Sequence, residues 1–540
     1  RVSTDTTIYQ ARFDSTSWTG ELLAFPVNPD TGLLASYPNW DAGYKLESVA
    51  WNARTIITNE PATGGVPFAW ASLNATQQAL LNTDPDTLTA DTLGEDRVEY
   101  LRGNEDLELQ EGGTFRDRVR KLGDLVNSSQ AYVGVPNFAY PDWLERFEDV
   151  SNPRSLTNGA AESYSEFIAR MAALGSGAGR EAMLYVGAND GMLHGFTANP
   201  DIVLGGIEKL AFVPNEVYTT LGQLTSPDYT HRYYVDGSPT AADVMFSDNR
   251  WHTMVAGGLN GGGRGIYALD VTDPTAFSEA NAASIFLWEI GATGDFADLG
   301  FTYSQPAIVK NHSGTNAYTY ESGEGEWVTV FGNGYASAAG KAVLYIVDAE
   351  TGSYIDHVVV DDAGNNGLST VSPVDIDGDF KIDIIYAGDL KGNVWKFIPD
   401  GTLNGWKADF GGNPLFTAPA DPTGTLTNTQ PITMRIEAGR HPAGLPGVMV
   451  YFGTGSYFQV GDNVGDANTH SVYGIWDAWN NCSYDAGGRR SYCTSDFSVT
   501  DGMLTLTPPT TPNITRANLL QQCVTNTDGS SCLPKRTVPG

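Results

Sequence analysis

Four aspartates spaced closely along one short segment are the residues of this chain best suited to bind a metal ion. The segment reads Asp375-Ile-Asp377-Gly-Asp379-Phe-Lys381-Ile-Asp383, so acidic side chains stand at its positions 1, 3, 5 and 9. Calcium takes roughly six to eight oxygen ligands, which alternating carboxylates and a backbone carbonyl at position 7 can supply. The spacing therefore predicts one calcium site. Its predicted ligands are the side chains of Asp375, Asp377, Asp379 and Asp383 and the carbonyl oxygen of Lys381.

The segment differs from an EF-hand loop at two positions. An EF-hand places a bidentate glutamate at position 12 and a glycine at position 6, whereas this segment has Tyr386 and Phe380 there. The apolar run that follows, residues 384–386, predicts a strand rather than an exiting helix. The alternative is a solvated acidic turn without an ion. Four carboxylates in register favour a calcium loop on a β-scaffold.

The chain is strongly acidic. Its 540 residues include 64 acidic and 31 basic side chains, and the formal net charge is −33. The electrostatic field of this negative charge repels the phosphate backbones of nucleic acids, so no nucleic-acid partner is predicted. The same field attracts divalent cations. No apolar run approaches the roughly 18 residues that a membrane-spanning helix needs, so no transmembrane segment is predicted. Because the first residue is Arg1 rather than methionine, a processed form or an excised fragment is expected.

All four cysteines lie near the C-terminal end, at Cys482, Cys493, Cys523 and Cys532. Their spacing contains no Cys-x-x-Cys pair, which disfavours a zinc site. Two local disulfides, 482–493 and 523–532, are the preferred prediction among three alternative pairings, and they imply an oxidising compartment.

Internal repeats predict the architecture. Residues 20–32 align without a gap on residues 340–352, and residues 183–196 align on residues 384–397. Apolar strands that run into a glycine recur at 132–134, 185–187, 254–257, 328–332, 385–388 and 451–453. A repeat of this size built from short strands predicts an all-β fold, a quinoprotein-like β-propeller with seven blades, six and eight being the alternatives.

The repeat pattern also sets the expected domain boundaries. Residues 1–480 form the predicted propeller, with a long irregular insertion at about 35–125, and residues 481–540 form a cysteine-bearing C-terminal extension. Within the insertion, the charged run 116–121 is compatible with a short helix whose charges form a solvated face. Apolar residues at helical spacing predict a packing helix over 161–174.

Several longer motifs of the chain carry a family resemblance. They are Tyr9-Gln-Ala-Arg-Phe-Asp-Ser-Thr-Ser-Trp18-Thr-Gly, Phe115-Arg-Asp-Arg, Leu122-Gly-Asp124, Tyr185-Val-Gly-Ala-Asn-Asp-Gly-Met-Leu-His194, Tyr233-Tyr-Val-Asp236-Gly-Ser-Pro239, Gly388-Asp-Leu-Lys-Gly-Asn-Val-Trp395-Lys-Phe and Phe452-Gly-Thr-Gly455. These motifs resemble those of the PilY-type tip proteins of type IV pili, and specifically those of their C-terminal β-propeller. The resemblance covers roughly residues 1–480, with the motifs in the family's order.

The resemblance implies a secreted bacterial protein at the cell surface, located at the pilus tip or associated with the outer membrane. It implies minor pilins and an external surface or host receptor as partners, and a role in pilus biogenesis, adhesion, twitching motility and virulence. In the family, calcium in the acidic loop controls whether pili extend or retract. The family's loop often has glycine where this chain has Phe380, a difference that bears on calcium affinity rather than on ligation.

Three other functions are considered: a quinoprotein dehydrogenase, a hydrolase and a generic adhesive propeller. Asp30-Thr-Gly32 and Glu350-Thr-Gly352 resemble the docking repeats of quinoprotein dehydrogenases, but the adjacent Cys-Cys pair and regular tryptophan repeats of those enzymes are absent. Hydrolase motifs are also absent, and His194 is read as a packed structural residue, so no enzymatic activity is predicted. The remaining alternative is a generic adhesive propeller in which calcium is purely structural.

Overall fold

The computed structural model of the chain describes residues 7–142, 144, 161–312, 326–402, 404–419, 429–442, 447–457, 470–477, 481–484 and 490–494, the last two ranges by backbone only. The chain divides into two compact units. The first comprises Arg1–Ile385 and Pro399–Lys407, and the second comprises Tyr386–Ile398 and Ala408–Gly540.

The first unit consists mainly of short strands, because apolar and β-branched residues recur in short runs separated by turns rich in glycine, asparagine and aspartate. Its strands are β1 (Thr7–Asp14), β2 (Thr19–Pro26), β3 (Trp40–Asp41), β4 (Ile56–Glu60), β5 (Gly64–Pro67), β6 (Ala131–Val133), β7 (Met183–Ala188), β8 (Met192–Thr197), β9 (Glu208–Val213), β10 (Thr240–Met245), β11 (Trp251–Gly258), β12 (Gly265–Asp270), β13 (Phe286–Gly291), β14 (Ala307–Lys310), β15 (Trp327–Gly332), β16 (Ala342–Asp348), β17 (Tyr354–Asp361) and β18 (Ser372–Val374).

Short helices connect some of these strands. They are α1 (Ala42–Glu47), α2 (Ala75–Leu81), α3 (Gly94–Arg102), α4 (Tyr164–Ala172), α5 (Leu174–Gly177), α6 (Tyr218–Leu221) and α7 (Ala282–Ile285). Helix α4 confirms the helix predicted over 161–174. It begins at a capping box in which Ser163 and Glu166 each accept the other's backbone N–H. Among the described residues, no helix is both long and apolar enough to cross a bilayer.

Two sheets of the first unit have the form of a propeller blade. Their strand orders are β10-β11-β12-β13 and β14-β15-β16-β17, and successive strands in each are antiparallel. A four-stranded antiparallel sheet is the repeating unit of β-propellers. These sheets agree with the predicted fold class, while the closed ring and the count of seven blades stay predictions.

A third sheet includes strands from residues 35–125, the region predicted to be an irregular insertion. Its strand order is β5-β4-β9-β8-β7-β6, in which β4 and β9 are parallel. Residues 35–125 therefore contribute two strands to this sheet, and they also contain β3 and the helices α1 to α3. Sequence periodicity does not reveal this pairing, because β4 and β9 are about 150 residues apart in the chain and no repeat marks β4.

The internal repeat has a direct structural counterpart in two turns. Gly32 donates its N–H to the carbonyl of Asn28, and Gly352 donates to that of Asp348. Both glycines have a φ of 69°, in the left-handed region that glycine occupies without steric cost. The side chains of Asn28 and Asp348 each accept backbone N–H groups two and three residues later. The two aligned segments thus form the same turn.

The second unit begins within the strand after the acidic loop. The strands from this point are β19 (Ile384–Gly388), β20 (Asn393–Pro399), β21 (Trp406–Ala408), β22 (Phe416–Thr417), β23 (Glu437–Arg440), β24 (Val448–Gly453), β25 (Val472–Asp477), β26 (Asn481–Tyr484) and β27 (Arg490–Thr494). Strand β24 pairs antiparallel with β23 and β25, and β26 pairs with β27. The backbone register of that hairpin places Cys482 opposite Cys493. The disulfides stay predictions, and Cys523 and Cys532 lie outside the described residues.

The interpretation of the charged run 116–121 as a helix with a solvated face is wrong. Its backbone is not helical, and the Arg118 side chain is 9% exposed, with Nε 2.8 Å from a Glu108 oxygen. Burial of an arginine is tolerated when a carboxylate compensates its charge. Glu108 supplies that carboxylate from elsewhere in the chain.

His194 lies in a buried charged group. The side chain is fully buried, with Nδ1 2.8 Å from Glu208 and Nε2 3.1 Å from Asp190. Arg54 completes the group, its Nε 2.7 Å from Glu208. Burial by itself would lower the pKa of His194, but the two carboxylates outweigh it and raise that pKa to about 9. These contacts agree with a structural role for His194.

We expect the protonated form of His194 to stabilise the fold in a pH-dependent way. Because its folded pKa is raised, the stabilisation is complete below the unfolded value of 6.5 and is lost as the pH rises through about 9. Between these limits the wild type should lose up to about 3 kcal/mol of unfolding free energy relative to His194→Gln. Urea denaturation of both proteins across this range measures the difference, and equal pH slopes would contradict it.

Candidate metal centre

The acidic loop is held at both ends by strands. Asp375 directly follows β18, and Asp383 directly precedes β19. The N–H of Asp383 donates to the carbonyl of Val374 at 3.0 Å, which closes the neck of the loop. Next to it, the N–H of Ile382 donates to the carbonyl of Lys310 at the end of β14, also at 3.0 Å. The first and last aspartates of the motif are therefore brought together by the sheet rather than by the loop itself.

Backbone N–H groups of the loop point at its carboxylates. Asp375 accepts the N–H groups of Gly378 and Phe380 at 2.6 and 2.8 Å. Asp383 accepts the N–H of Ile376 at 2.7 Å. A carboxylate has about four lone-pair sites, so each group that accepts these bonds retains capacity to ligate a cation. The hydrogen bonds fix the carboxylates in orientation, as supporting contacts do around metal ligands.

Three of the predicted ligands lie close enough together to bind one ion. Carboxylate oxygens of Asp375, Asp377 and Asp383 are all within 4.8 Å of one another. Oxygens on opposite sides of a calcium ion are about 4.6–5.2 Å apart, since each Ca–O distance is about 2.3–2.6 Å. The three carboxylates thus fit one calcium coordination sphere. Within the described part of the chain, no other cluster brings three acidic, histidine or cysteine side chains together in this way.

The two other predicted ligands stand apart from this trio. The carboxylate of Asp379 is not part of the close group, and its Oδ1 accepts the N–H of Lys381 at 2.9 Å. The backbone of Lys381 forms a parallel bridge with Lys310, which fixes the main chain at the position whose carbonyl is the predicted ligand. Ligation by Asp379 and by the Lys381 carbonyl stays a prediction.

The concentrated negative charge alters the acidity of Asp383. Removal from water raises the pKa of this carboxyl to about 7, and the neighbouring charges of Asp377, Asp379 and Asp375 contribute to the rise. The bond from Ile376 acts in the opposite direction. Near neutral pH, full ionisation of the loop is therefore costly, and a bound divalent cation would offset that cost.

Phe380 anchors the loop, although the sequence marks it only as a departure from the usual glycine. Its backbone has a φ of 71°, a left-handed conformation that is strained for an aromatic residue. Its ring packs edge to face against that of Tyr140, with ring centroids 5.7 Å apart. Tyr140 in turn stacks on the buried Trp251, with ring centroids 5.2 Å apart. Packing against this aromatic cluster explains how the strained conformation is maintained.

The blade-like sheets and the acidic loop together define a propeller-type protein with a candidate divalent-cation site. A family model described as the PilY1 beta-propeller domain matches residues 122–488. The match covers more than half of the chain, so the chain belongs to the PilY1 beta-propeller family, which confirms the family indicated by its motifs.

Two curated relatives agree with this membership, and one solved structure is similar to the chain. The type IV pilus biogenesis factor PilY1 of Pseudomonas aeruginosa is 34% identical over 542 residues, which cover 95% of this chain and 40% of that protein. A PilY1 homolog of Xylella fastidiosa is 33% identical over 517 residues, covering 87% and 32%. The crystal structure of the P. aeruginosa PilY1 C-terminal domain aligns at 29% identity over 74% of this chain and 75% of that one, with a TM-score of 0.48.

The chain thus spans less than half the length of these two curated relatives. It is homologous to type IV pilus biogenesis factors, and as a member of their family it is not an enzyme.

The strain at Phe380 predicts a difference between two substitutions. Phe380→Ala and Phe380→Gly both remove the aromatic anchor, but only glycine adopts a φ of 71° without steric cost. We expect Phe380→Gly to be more stable than Phe380→Ala by about 1 kcal/mol. Urea denaturation of both variants without added calcium gives this difference, and an alanine variant as stable as the glycine variant would contradict the assigned strain.

Proposed function

We propose that this chain binds one calcium ion in its acidic loop and acts at the tip of the type IV pilus in biogenesis and adhesion. Calcium occupancy would regulate pilus extension against retraction and attachment to surfaces. The observation that carries the proposal is the trio of carboxylates within 4.8 Å of one another. Membership of the PilY1 family supports the pilus role.

The composition of the loop favours calcium over other ions. All five predicted ligands offer oxygen atoms, which suit hard cations and disfavour zinc and copper. Magnesium demands near-octahedral geometry at about 2.0–2.1 Å and retains several waters, whereas calcium accepts irregular arrangements of many protein oxygens. A loop that offers four carboxylates and a backbone carbonyl matches the calcium requirement.

The position of the loop supports an exchangeable ion. Asp375 is exposed and Asp377 and Asp383 are half-buried, so solvent reaches the carboxylate trio. The burial and the neighbouring charges that together raise the pKa of Asp383 both act on the empty loop. The loaded and empty loops would therefore differ in stability. That difference would allow external calcium to shift the equilibrium between two states of the loop.

The partners and location in this proposal follow from the family. A protein of the pilus tip would contact minor pilins and an external surface or host receptor, and it would be secreted to the bacterial surface. The net charge of −33 suits exposure to calcium-containing surroundings and disfavours a nucleic-acid partner. A purely structural calcium is the competing reading, and the experiments below separate the two.

Calorimetric titration with calcium tests the site. Asp383→Ala should abolish measurable binding, because it removes a ligand at the neck of the loop. Asp379→Ala should weaken binding less, since that carboxylate lies outside the close trio. Asp362→Ala, in a neighbouring exposed acidic turn, is the matched control and should bind like the wild type. Unchanged binding by Asp383→Ala would refute the assignment.

Thermal unfolding distinguishes a regulatory from a structural ion. If calcium is a switch, Asp383→Ala and the chelated wild type remain folded, and saturating calcium raises only the wild-type melting temperature. Wholesale unfolding of Asp383→Ala would favour the structural reading.

A cellular experiment tests the pilus role. Bacteria that carry Asp383→Ala in the full-length protein should show an altered balance of extended and retracted pili, which counts of surface pili and twitching zones measure. Asp362→Ala provides the control for expression and for general changes of acidity. If the purified Asp383→Ala chain no longer binds calcium but the cells show an unaltered balance of pili, calcium regulation is rejected. The assignment of the calcium site itself would still hold.

A further inference from the structure

A cleft in the first unit is lined by more basic than acidic side chains, although the chain as a whole is strongly acidic. It lies between the β1–β2 turn, helix α3, the segment 116–124 and the β7–β8 turn, and it has a volume of about 590 Å³, part of which is open to solvent. Its lining includes four cationic side chains, Arg116, Arg118, Arg120 and Lys121. In a chain with a net charge of −33, this concentration of positive charge calls for a physical account.

Most of these cations are neutralised by carboxylates that do not line the cleft. Arg118 Nε lies 2.8 Å from Glu108, Arg120 Nη1 lies 2.8 Å from Asp41, and Lys121 Nζ lies 3.3 Å from Glu105. Their charges serve to hold the segment 116–121 against the body of the unit.

Arg116 is different. Its buried Nε has no hydrogen-bond partner, and no ion pair joins its guanidinium to a carboxylate in the described ranges. The guanidinium carbon lies 4.0 Å from the ring centroid of Tyr229, which orients the group by a cation–π contact. A buried guanidinium nitrogen without an acceptor is costly, because the bonds it made to water in the unfolded chain are not replaced.

Three carboxylates line the cleft, and each is hydrogen-bonded elsewhere. Asp117 accepts the N–H of Gln110 at 2.8 Å. Asp124 accepts from the amide of Asn189 at 2.6 Å and faces Nε2 of His231 at 3.0 Å. Asp190 accepts the N–H of Gly123 at 2.8 Å and faces the raised-pKa His194. None of the three forms an ion pair with Arg116. The cleft therefore presents a guanidinium that no carboxylate pairs with, beside acidic groups that hydrogen-bond to other residues.

We propose that this cleft binds a single carboxylate group, which Arg116 receives through its guanidinium. A guanidinium matches a carboxylate in two parallel hydrogen bonds, and the two terminal nitrogens of Arg116 are the ones that can donate them, since its Nε is closed off from solvent. A monoanion suits this lining better than a dianion. A phosphate dianion would bring two negative charges beside Asp117, Asp124 and Asp190, with only the guanidinium of Arg116 unpaired to balance them.

The walls of the cleft add selectivity for a carboxylate borne on an organic group. Trp18, Tyr100 and Tyr229 contribute aromatic surface to the lining. Trp18 is fixed against His231, with ring centroids 3.6 Å apart. The carboxylate could come from a small organic acid or from the C-terminus of a polypeptide, and the test separates these sources. The proposal is independent of calcium binding.

Calorimetry on the whole chain in calcium-free buffer tests the site. The probes are acetate, inorganic phosphate, N-acetyl-trialanine with a free carboxylate, and the C-terminal amide of that peptide. We expect the free-carboxylate peptide and acetate to bind, and the amide and phosphate to bind at least about tenfold more weakly. Tighter binding of the peptide than of acetate identifies a polypeptide terminus as the source, whereas equal binding identifies a small organic acid.

Variants of Arg116 show whether it carries the binding. Arg116→Gln should weaken the carboxylate probes by at least about tenfold, and Arg116→Lys, which keeps the charge but loses the fork, should give an intermediate value. Arg232→Gln removes an exposed positive charge near Tyr229 outside the lining, and it should change affinity by less than about twofold. Unchanged melting temperatures establish that the variants are folded.

Four outcomes would overturn the proposal. They are absence of binding by both carboxylate probes, equal binding of the amide, binding of phosphate as tight as that of the carboxylates, and an equal loss in Arg116→Gln and Arg232→Gln.

Discussion

The mutual repulsion of carboxylates in the loop between β18 and β19 is the constraint on which the candidate site depends. Two unit charges about 4 Å apart repel by about 1 kcal/mol in water and by about 4 kcal/mol at an effective dielectric constant near 20. Asp375, Asp377 and Asp383 are held near this separation, and their repulsion adds to removal from water, the main cause, in raising the pKa of Asp383. A loop with such charges keeps its shape only if other contacts oppose the repulsion.

Those contacts come from the scaffold on three sides. The bond between Asp383 and Val374 closes the neck, the bond between Ile382 and Lys310 ties it to β14, and Phe380 fixes the far side of the loop to the aromatic cluster. The geometry is thus established before any ion arrives, and little ordering of the loop would be needed on binding. Preorganisation of this kind lowers the ordering cost of binding, so a bound ion would act on the protein mainly through the charge of the loop.

Charge compensation also governs the cleft that contains Arg116, where basic side chains rather than carboxylates need partners of opposite charge. An acidic chain has ample carboxylates to neutralise its few cations, and Arg118, Arg120 and Lys121 have such partners. Asp190 connects the cleft to the interior, because it contacts both Gly123 at the edge of the lining and the buried His194. Arg54, Glu208 and His194 form a buried charged group. Through His194 this group holds in place the Asp190 carboxylate, whose negative charge lowers the net positive charge of the cleft.

The sequence by itself determined the features that are local. The spacing of aspartates 375–383, the matching turns at Gly32 and Gly352, the capped helix α4 and the family all follow from residues close together in the chain, where side-chain chemistry and backbone preference act directly. The tertiary structure alone decided which of the aspartates converge, because Asp383 reaches the others only through the pairing at the neck of the loop. It also decided that β4 pairs with β9, and that the segment 116–121 lines a cleft instead of forming a solvated face. These contacts join segments far apart in the chain, and no local pattern of residues encodes such partners.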